Sequence, residues 1–159
     1  AEFSEILQFQ KQNNKQDLVF EKDVFVDLNA LIKKYSNKVL YLDIWASWCA
    51  PCKKEFEYQS SELQEFFQEN NIQKIYLSID DSSKVDVCSK IIKYYALEGD
   101  HYLVNKHLLE SIQKELNHGK SLSIPRYLII DASGQIVEKD AYRPSSEKLL
   151  INQLKLHLK

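Results

Sequence analysis

Two cysteines with two residues between them stand in the segment Trp45-Ala46-Ser47-Trp48-Cys49-Ala50-Pro51-Cys52-Lys53-Lys54. Thiols at this spacing suit dithiol–disulfide exchange when the pair opens a helix. One helical turn holds the sulfurs near each other. The helix N-terminus supplies unpaired N–H groups and a positive dipole end, and both stabilise a thiolate on Cys49. Cys52 lies one turn inside and is expected to be the more buried. Roles follow from that geometry: Cys49 attacks a disulfide, and Cys52 resolves the mixed disulfide. The same spacing is half of a zinc site, but tetrahedral zinc requires a second pair of ligands. Cys88, His101, His107, His118 and His157 stand singly and supply no such pair, so no metal is expected.

The remaining chemistry-bearing residues read more plainly. Cys88 falls on the apolar face of a predicted helix, where a free cysteine behaves as a small hydrophobe; a regulatory or resolving thiol is the alternative. Asp80-Asp81 follows a strand end with no glycine-rich loop and no further acidic cluster, and reads as a solvated turn. Lys53 and Lys54 read as solvent-exposed. Tyr94-Tyr95 and Phe66-Phe67 mix core and surface positions.

The elements that must position the pair can be read around it. Val39–Ala46 is a continuous apolar run of strand length, which fits a strand covered on both faces, as in a parallel sheet. Pro51 suits the first turn of a helix, its φ already fixed and its missing N–H not needed there. Phe56, Leu63, Phe66 and Phe67 extend that helix to about Glu69, where Asn70-Asn71 ends it. Asp27 is placed to cap a helix over Leu28–Tyr35. Ile72–Asp80 reads as a strand, Val85–Tyr95 as a helix, His101–Val104 as a short strand or extended loop, and Lys106–Leu116 as a helix stopped by Asn117-His118-Gly119. Pro125 precedes a strand over Arg126–Asp131. Asp131-Ala132-Ser133-Gly134 is a turn signal, and Gln135–Glu138 returns as a hairpin. Ser145 or Ser146 is placed to cap a last helix striped by Leu150, Leu154 and Leu158. Strands alternating with helices, then a hairpin and a helix, give an α/β domain with a mixed central sheet.

Composition agrees with one globular unit. The chain has 159 residues, three Gly and three Pro, enough length to bury a core without disulfides. Its 21 basic and 23 acidic side chains leave a net charge of −2, which gives no general attraction for nucleic acid or anionic lipid. No apolar stretch approaches the ~18–20 residues of a membrane span. There is no methionine, even at position 1, so a mature product or a cut chain is expected, and Ala1-Glu2-Phe3 can include a cloning remnant. Residues 1–17 carry the polar stretch Lys11–Asp17 and read as an arm or linker with a possible short helix over Phe3–Gln10. Residues 18–159 read as the domain.

Trp48-Cys49-Ala50-Pro51-Cys52-Lys53, preceded by Leu42-Asp43-Ile44-Trp45-Ala46 and followed later by Ile124-Pro125-Arg126-Tyr127-Leu128-Ile129-Ile130-Asp131, resembles the thioredoxin superfamily, and most closely its TlpA/ResA-like branch. The resemblance covers roughly Leu18 to Lys159. It implies a thioredoxin fold, a mixed central sheet flanked by helices on both faces. It implies that Pro125 is the family's cis-proline facing the two sulfurs, with Ile124 offering its backbone to an extended substrate peptide. Trp48 then shields the nucleophile and contributes docking surface, and Trp45 is core. Asp43 matches the buried acid of cytoplasmic thioredoxins, which helps move the proton of the resolving cysteine; many TlpA/ResA-like proteins lack it. A carboxylate within a buried strand has a raised pKa and can accept that proton near neutral pH. Arg126 either biases the docking groove or forms a local salt bridge, and His101–Val104 matches the branch's variable insertion near the groove.

The function implied is thiol–disulfide exchange without a bound cofactor, in the direction of reducing protein disulfides in the bacterial periplasm or cell envelope. The partners are then disulfide-containing clients and a thiol–disulfide electron donor, in a parent protein that can be membrane-tethered. The alternatives are an oxidase or isomerase using the same pair, and a redox-responsive protein-binding module with little turnover. A copper relay is a minor third.

Overall fold

A computed structural model describes residues 19–158; the arm over 1–17, its possible helix, Leu18 and Lys159 lie outside the described residues. The elements run α1 (Leu28–Lys34), β1 (Leu40–Trp45), α2 (Ala50–Glu55), α3 (Ser61–Glu69), β2 (Gln73–Ser78), α4 (Val85–Tyr94), β3 (Asp100–Leu103), α5 (Lys106–Asn117), β4 (Arg126–Ile130), β5 (Ile136–Glu138) and α6 (Glu147–Lys155). The sheet order is β3-β2-β1-β4-β5. β1 pairs parallel with β2, and β2 parallel with β3, while β4 is antiparallel to β1 and β5 closes an antiparallel hairpin. This is the expected α/β mixed sheet.

The central strand β1 is buried at all six positions, as its unbroken apolar run requires. Leu40, Leu42 and Ile44 face one side, packed with Leu28, Leu31 and Ile32 of α1 and Leu108 and Ile112 of α5. Tyr41 and Trp45 face the other. Trp45 joins Cys49, Cys52 and Phe56 with Val85, Cys88 and Ile92 of α4, whereas Tyr41 joins Leu63 and Phe67 of α3 and Leu150, Ile151 and Leu154 of α6. Each such side chain taken from water contributes ~1.5–3 kcal/mol. Helices on both faces therefore clamp β1, and the cysteine pair leaves from its C-terminal end.

Asp27 caps α1 as expected, its carboxylate accepting from Ala30 N at 2.8 Å. Asn70 and His118 end their helices, His118 in the left-handed region at φ 54°. Two sequence expectations change. The single helix expected from Pro51 to Glu69 is two helices, α2 and α3. The Phe56 carbonyl accepts from Gln59 Nε2 at 2.9 Å, and Ser60 Oγ accepts from Leu63 N at 3.0 Å to start α3 afresh. The break lets Phe56 pack edge-on against Trp45 while Phe67 reaches Tyr41. Neither Ser145 nor Ser146 caps the last helix through its side chain; Ser145 gives both its N–H and its hydroxyl to Glu55. At His101–Val104 the short-strand reading holds: Asp100–Leu103 forms edge strand β3, and His101 stacks on Tyr76.

Candidate active site

Cys49 is the N-cap of α2, and Pro51 sits in the first turn where its missing N–H costs nothing. The backbone enters through Cys49 N–H to Ala46 O and returns through Lys53 N–H to Cys49 O. The two cysteines are joined as a disulfide, their Cα atoms 5.3 Å apart, and Cys52 N–H points at Cys49 Sγ from 3.2 Å. That N–H is one of the free donors of a helix start, placed where a thiolate would need it. Cys52 is fully buried and Cys49 nearly so, whereas Trp48 is 66% exposed beside them.

The loop before β4 closes over the pair. The Ile124–Pro125 peptide bond is cis, and Ile124 O lies 3.8 Å from Cys49 Sγ. Thus Ile124 and Pro125, which the sequence joined to the Trp48-Cys49-Ala50-Pro51-Cys52 segment only through a resemblance, meet it in one place. Arg126 donates to Lys139 O at 2.6 Å and its Nε lies 3.8 Å from Asp140, the local contact that was one of its two expected roles. Lys54 is exposed and pairs with Glu57.

Asp43 sits mid-strand on β1, opposite Tyr76 of β2 and Tyr127 of β4. Its side chain is buried, and Oδ1 has no hydrogen-bond partner. Burial pushes its pKa up to about 7, a rise that Lys74 opposes and Glu55 reinforces. The Lys74 ammonium lies 5.3 Å from the rings of Phe67 and Tyr76 and lines a cleft of about 150 Å3 with Gln59, Gln64 and Glu98. Burial lowers its pKa to about 8, against the pull of Asp43. Asp43 is therefore a carboxyl that can take or give a proton near neutrality.

Two further buried acids escaped the sequence reading. Glu55, one turn beyond Cys52, is buried and accepts from Ser145 N–H at 2.9 Å and Ser145 Oγ at 2.7 Å. Asp80 is buried rather than part of a solvated turn, and accepts from Ser47 N–H at 2.8 Å, Ser47 Oγ at 2.5 Å, Ser78 Oγ at 2.8 Å and the Cys88 thiol at 3.2 Å. Asp81 alone keeps the solvated role, capping the short 3-10 turn that follows. The available signal was Ser78 and Cys88, small polar residues aimed inward from neighbouring elements. Among the described residues no group of acidic, His and Cys side chains could hold a metal ion, and no helix is long and apolar enough to cross a membrane.

Known proteins share this architecture. The Redoxin family model matches residues 23–149. The thiol-disulfide oxidoreductase ResA of Bacillus thuringiensis (strain Al Hakam) is 27% identical over 119 residues, which are 74% of this chain and 63% of that protein. The chain thus spans less than two thirds of that relative's length. Among solved structures, the thioredoxin domain of a thiol-disulfide oxidoreductase from Bacteroides vulgatus superposes with a TM-score of 0.62 at 20% identity, over 80% of this chain and 84% of that one. A secreted Mycobacterium tuberculosis disulfide oxidoreductase homologous to DsbE of E. coli superposes with a TM-score of 0.53 at 14% identity, over 76% and 85%. At these identities the superpositions establish the thioredoxin fold.

Proposed function

The chain belongs to the Redoxin family, and from that footing we propose that it is a thiol–disulfide oxidoreductase that reduces disulfides of client proteins through Cys49 and Cys52. The observation that carries the proposal is the cysteine pair at the start of α2, facing the Ile124 carbonyl and flanked by exposed Trp48.

In the reduced protein the Cys49 thiolate attacks one sulfur of a client disulfide. A mixed disulfide forms and the client's other sulfur leaves as a thiolate, which takes a proton from water. Cys52 then gives its proton to the Asp43 carboxylate and attacks Cys49 Sγ. The client's second sulfur leaves as a thiolate, and the Cys49–Cys52 disulfide remains. The client has gained two electrons and the pair has lost two. A dithiol donor restores the pair by the same exchange run against it. Ile124 offers its carbonyl edge to the extended client segment beside Pro125, and Trp48 gives that segment an apolar surface to dock on.

Reduction rather than oxidation is supported by the resemblance to the TlpA/ResA-like branch, whose envelope members mostly keep chosen cysteines reduced. The setting proposed is the bacterial cell envelope, supported by the resemblance to the TlpA/ResA-like branch and by the likeness to a secreted neighbour. The functional unit is taken as residues 18–159, with client disulfides and a dithiol donor as its partners and no bound cofactor.

Insulin-disulfide reduction with dithiothreitol as donor tests the activity. Wild type is expected to turn over, and Cys49→Ser to lose at least 100-fold. Equal inactivity of both proteins, together with partner binding that depends on redox state, would replace the enzyme with a redox-responsive binding module.

A further inference from the structure

Ser47 lies two residues before the nucleophile, and both its backbone N–H and its hydroxyl end on the Asp80 carboxylate. Ser78 at the end of β2 and Cys88 of α4 end on the same group, and Asp80 N–H returns to Ser78 Oγ at 3.2 Å. Asp80 therefore ties the short loop carrying Trp48 and Cys49 to β2 and α4. Four donors face its two oxygens, the arrangement that suits a carboxylate, which accepts and cannot donate. The thiol among them stays a donor, because burial and the adjacent carboxylate push the Cys88 pKa up to about 12. A neutral core residue of the same size would fill the space. What a carboxylate adds is a fixed negative charge beneath the loop that begins the redox helix.

We propose that Asp80 is a positioning residue of the redox site. It pins the Ser47–Cys49 loop through Ser47, and its charge disfavours the Cys49 thiolate, biasing the pair toward the disulfide and hence toward donating electrons. This rests on the redox function proposed above. The sign follows from the exchange equilibrium: what destabilises the thiolate destabilises the dithiol form and lowers the reduction potential, the opposite of an oxidant whose reduced form is stabilised.

The test is the equilibrium of the Cys49–Cys52 pair with glutathione, with the pH profile of Cys49 alkylation as a second readout. Asp80→Asn keeps the shape and removes the charge. It is expected to shift the equilibrium about threefold to tenfold toward the dithiol, a rise of ~15–30 mV, and to move the alkylation profile to lower pH. Ser47→Ala keeps the charge and removes one donor that neutralises it, so its shift is expected in the other direction. A merely structural role would lower the melting temperature and leave both readouts in place. An unmoved equilibrium in a folded Asp80→Asn overturns the proposal. If that variant does not fold, Ser47→Ala decides: a lower potential supports the charge effect, and an unchanged or higher one overturns it. Wild type measured first separates the two claims. No reversible couple there defeats the redox function itself, whereas a normal wild-type couple that Asp80→Asn leaves unmoved defeats this inference alone.

Discussion

Two aspartates are buried in this fold, one within strand β1 and one just past the end of its neighbour β2, and their surroundings are opposite. Asp80, just past the end of β2, accepts four hydrogen bonds from Ser47, Ser78 and Cys88. Asp43, in the middle of β1, has an oxygen with no partner and a pKa lifted to about 7 by burial. A saturated carboxylate is a fixed post, because its charge is satisfied and each donor it holds would be orphaned without it. A starved carboxylate is a proton site, because its neutral and charged forms lie close in free energy near neutral pH. The same side chain is thus held by four donors at one strand end and left without them one strand away, the first arrangement suiting the positioning role proposed for Asp80 and the second the proton transfer proposed for Asp43.

Replacing each by a neutral residue is the strongest way to break this contrast. Asp80→Ala leaves three side-chain donors and a backbone N–H without an acceptor, at ~1–3 kcal/mol for each donor that water cannot reach. A loss of about 3 kcal/mol is expected, lowering the melting temperature by roughly 6–12 °C. Asp43→Asn removes a carboxyl that is costly to ionise where it sits, so at pH 8 it is expected to stabilise the fold by about 2 kcal/mol. Thermal melts showing the same sign for both variants would end the distinction.

The pH dependence sharpens it. The folded pKa of Asp43 lies above its unfolded value of roughly 4. Its contribution to stability is therefore fully present below about pH 4 and is lost as pH rises through about 7. Urea titrations from pH 5 to 8 should show wild type losing stability with rising pH, and Asp43→Asn should flatten that slope. In the proposed cycle the same variant loses the acceptor for the Cys52 proton. Resolution of the mixed disulfide is expected to slow about 100-fold at pH 7, the low end of what a positioned acid–base group supplies. Rapid-quench trapping of the intermediate measures it, and an unchanged lifetime would deny Asp43 the role. The smallest effect concerns Cys88. Removing its thiol donor in Cys88→Ala should cost about 1 kcal/mol, and iodoacetamide at pH 8 should label Cys49 but not Cys88 in the reduced, folded protein.

This contrast also marks what could be read from residues alone. The burial of Asp43 was legible because it stands within an otherwise apolar strand run that leads straight into Cys49, and because it matches the buried acid of thioredoxins. The elements were legible where the period is strong and the ends carry caps, as at Asp27 and Asn117-His118-Gly119. Asp80 was not, since Asp80-Asp81 beside Ser82-Ser83 has the composition of an exposed turn, and only tertiary structure brings Ser47 over it from 33 residues away. Glu55 was hidden for the same reason, its partner Ser145 lying 90 residues on. The break at Phe56–Ser60 was passed over because apolar residues recur at helical spacing across it, while the competing signal was one serine cap. Short-range patterns place elements; acceptor–donor pairs that cross the fold do not appear in them.

The central claim is that Cys49 and Cys52 form a reducing couple. It is tested most directly by the standard reduction potential of that pair in wild type, by equilibration with thiol–disulfide buffers. The account predicts a value near thioredoxin's roughly −270 mV, and a value near the roughly −120 mV of a disulfide-donating oxidant would contradict it.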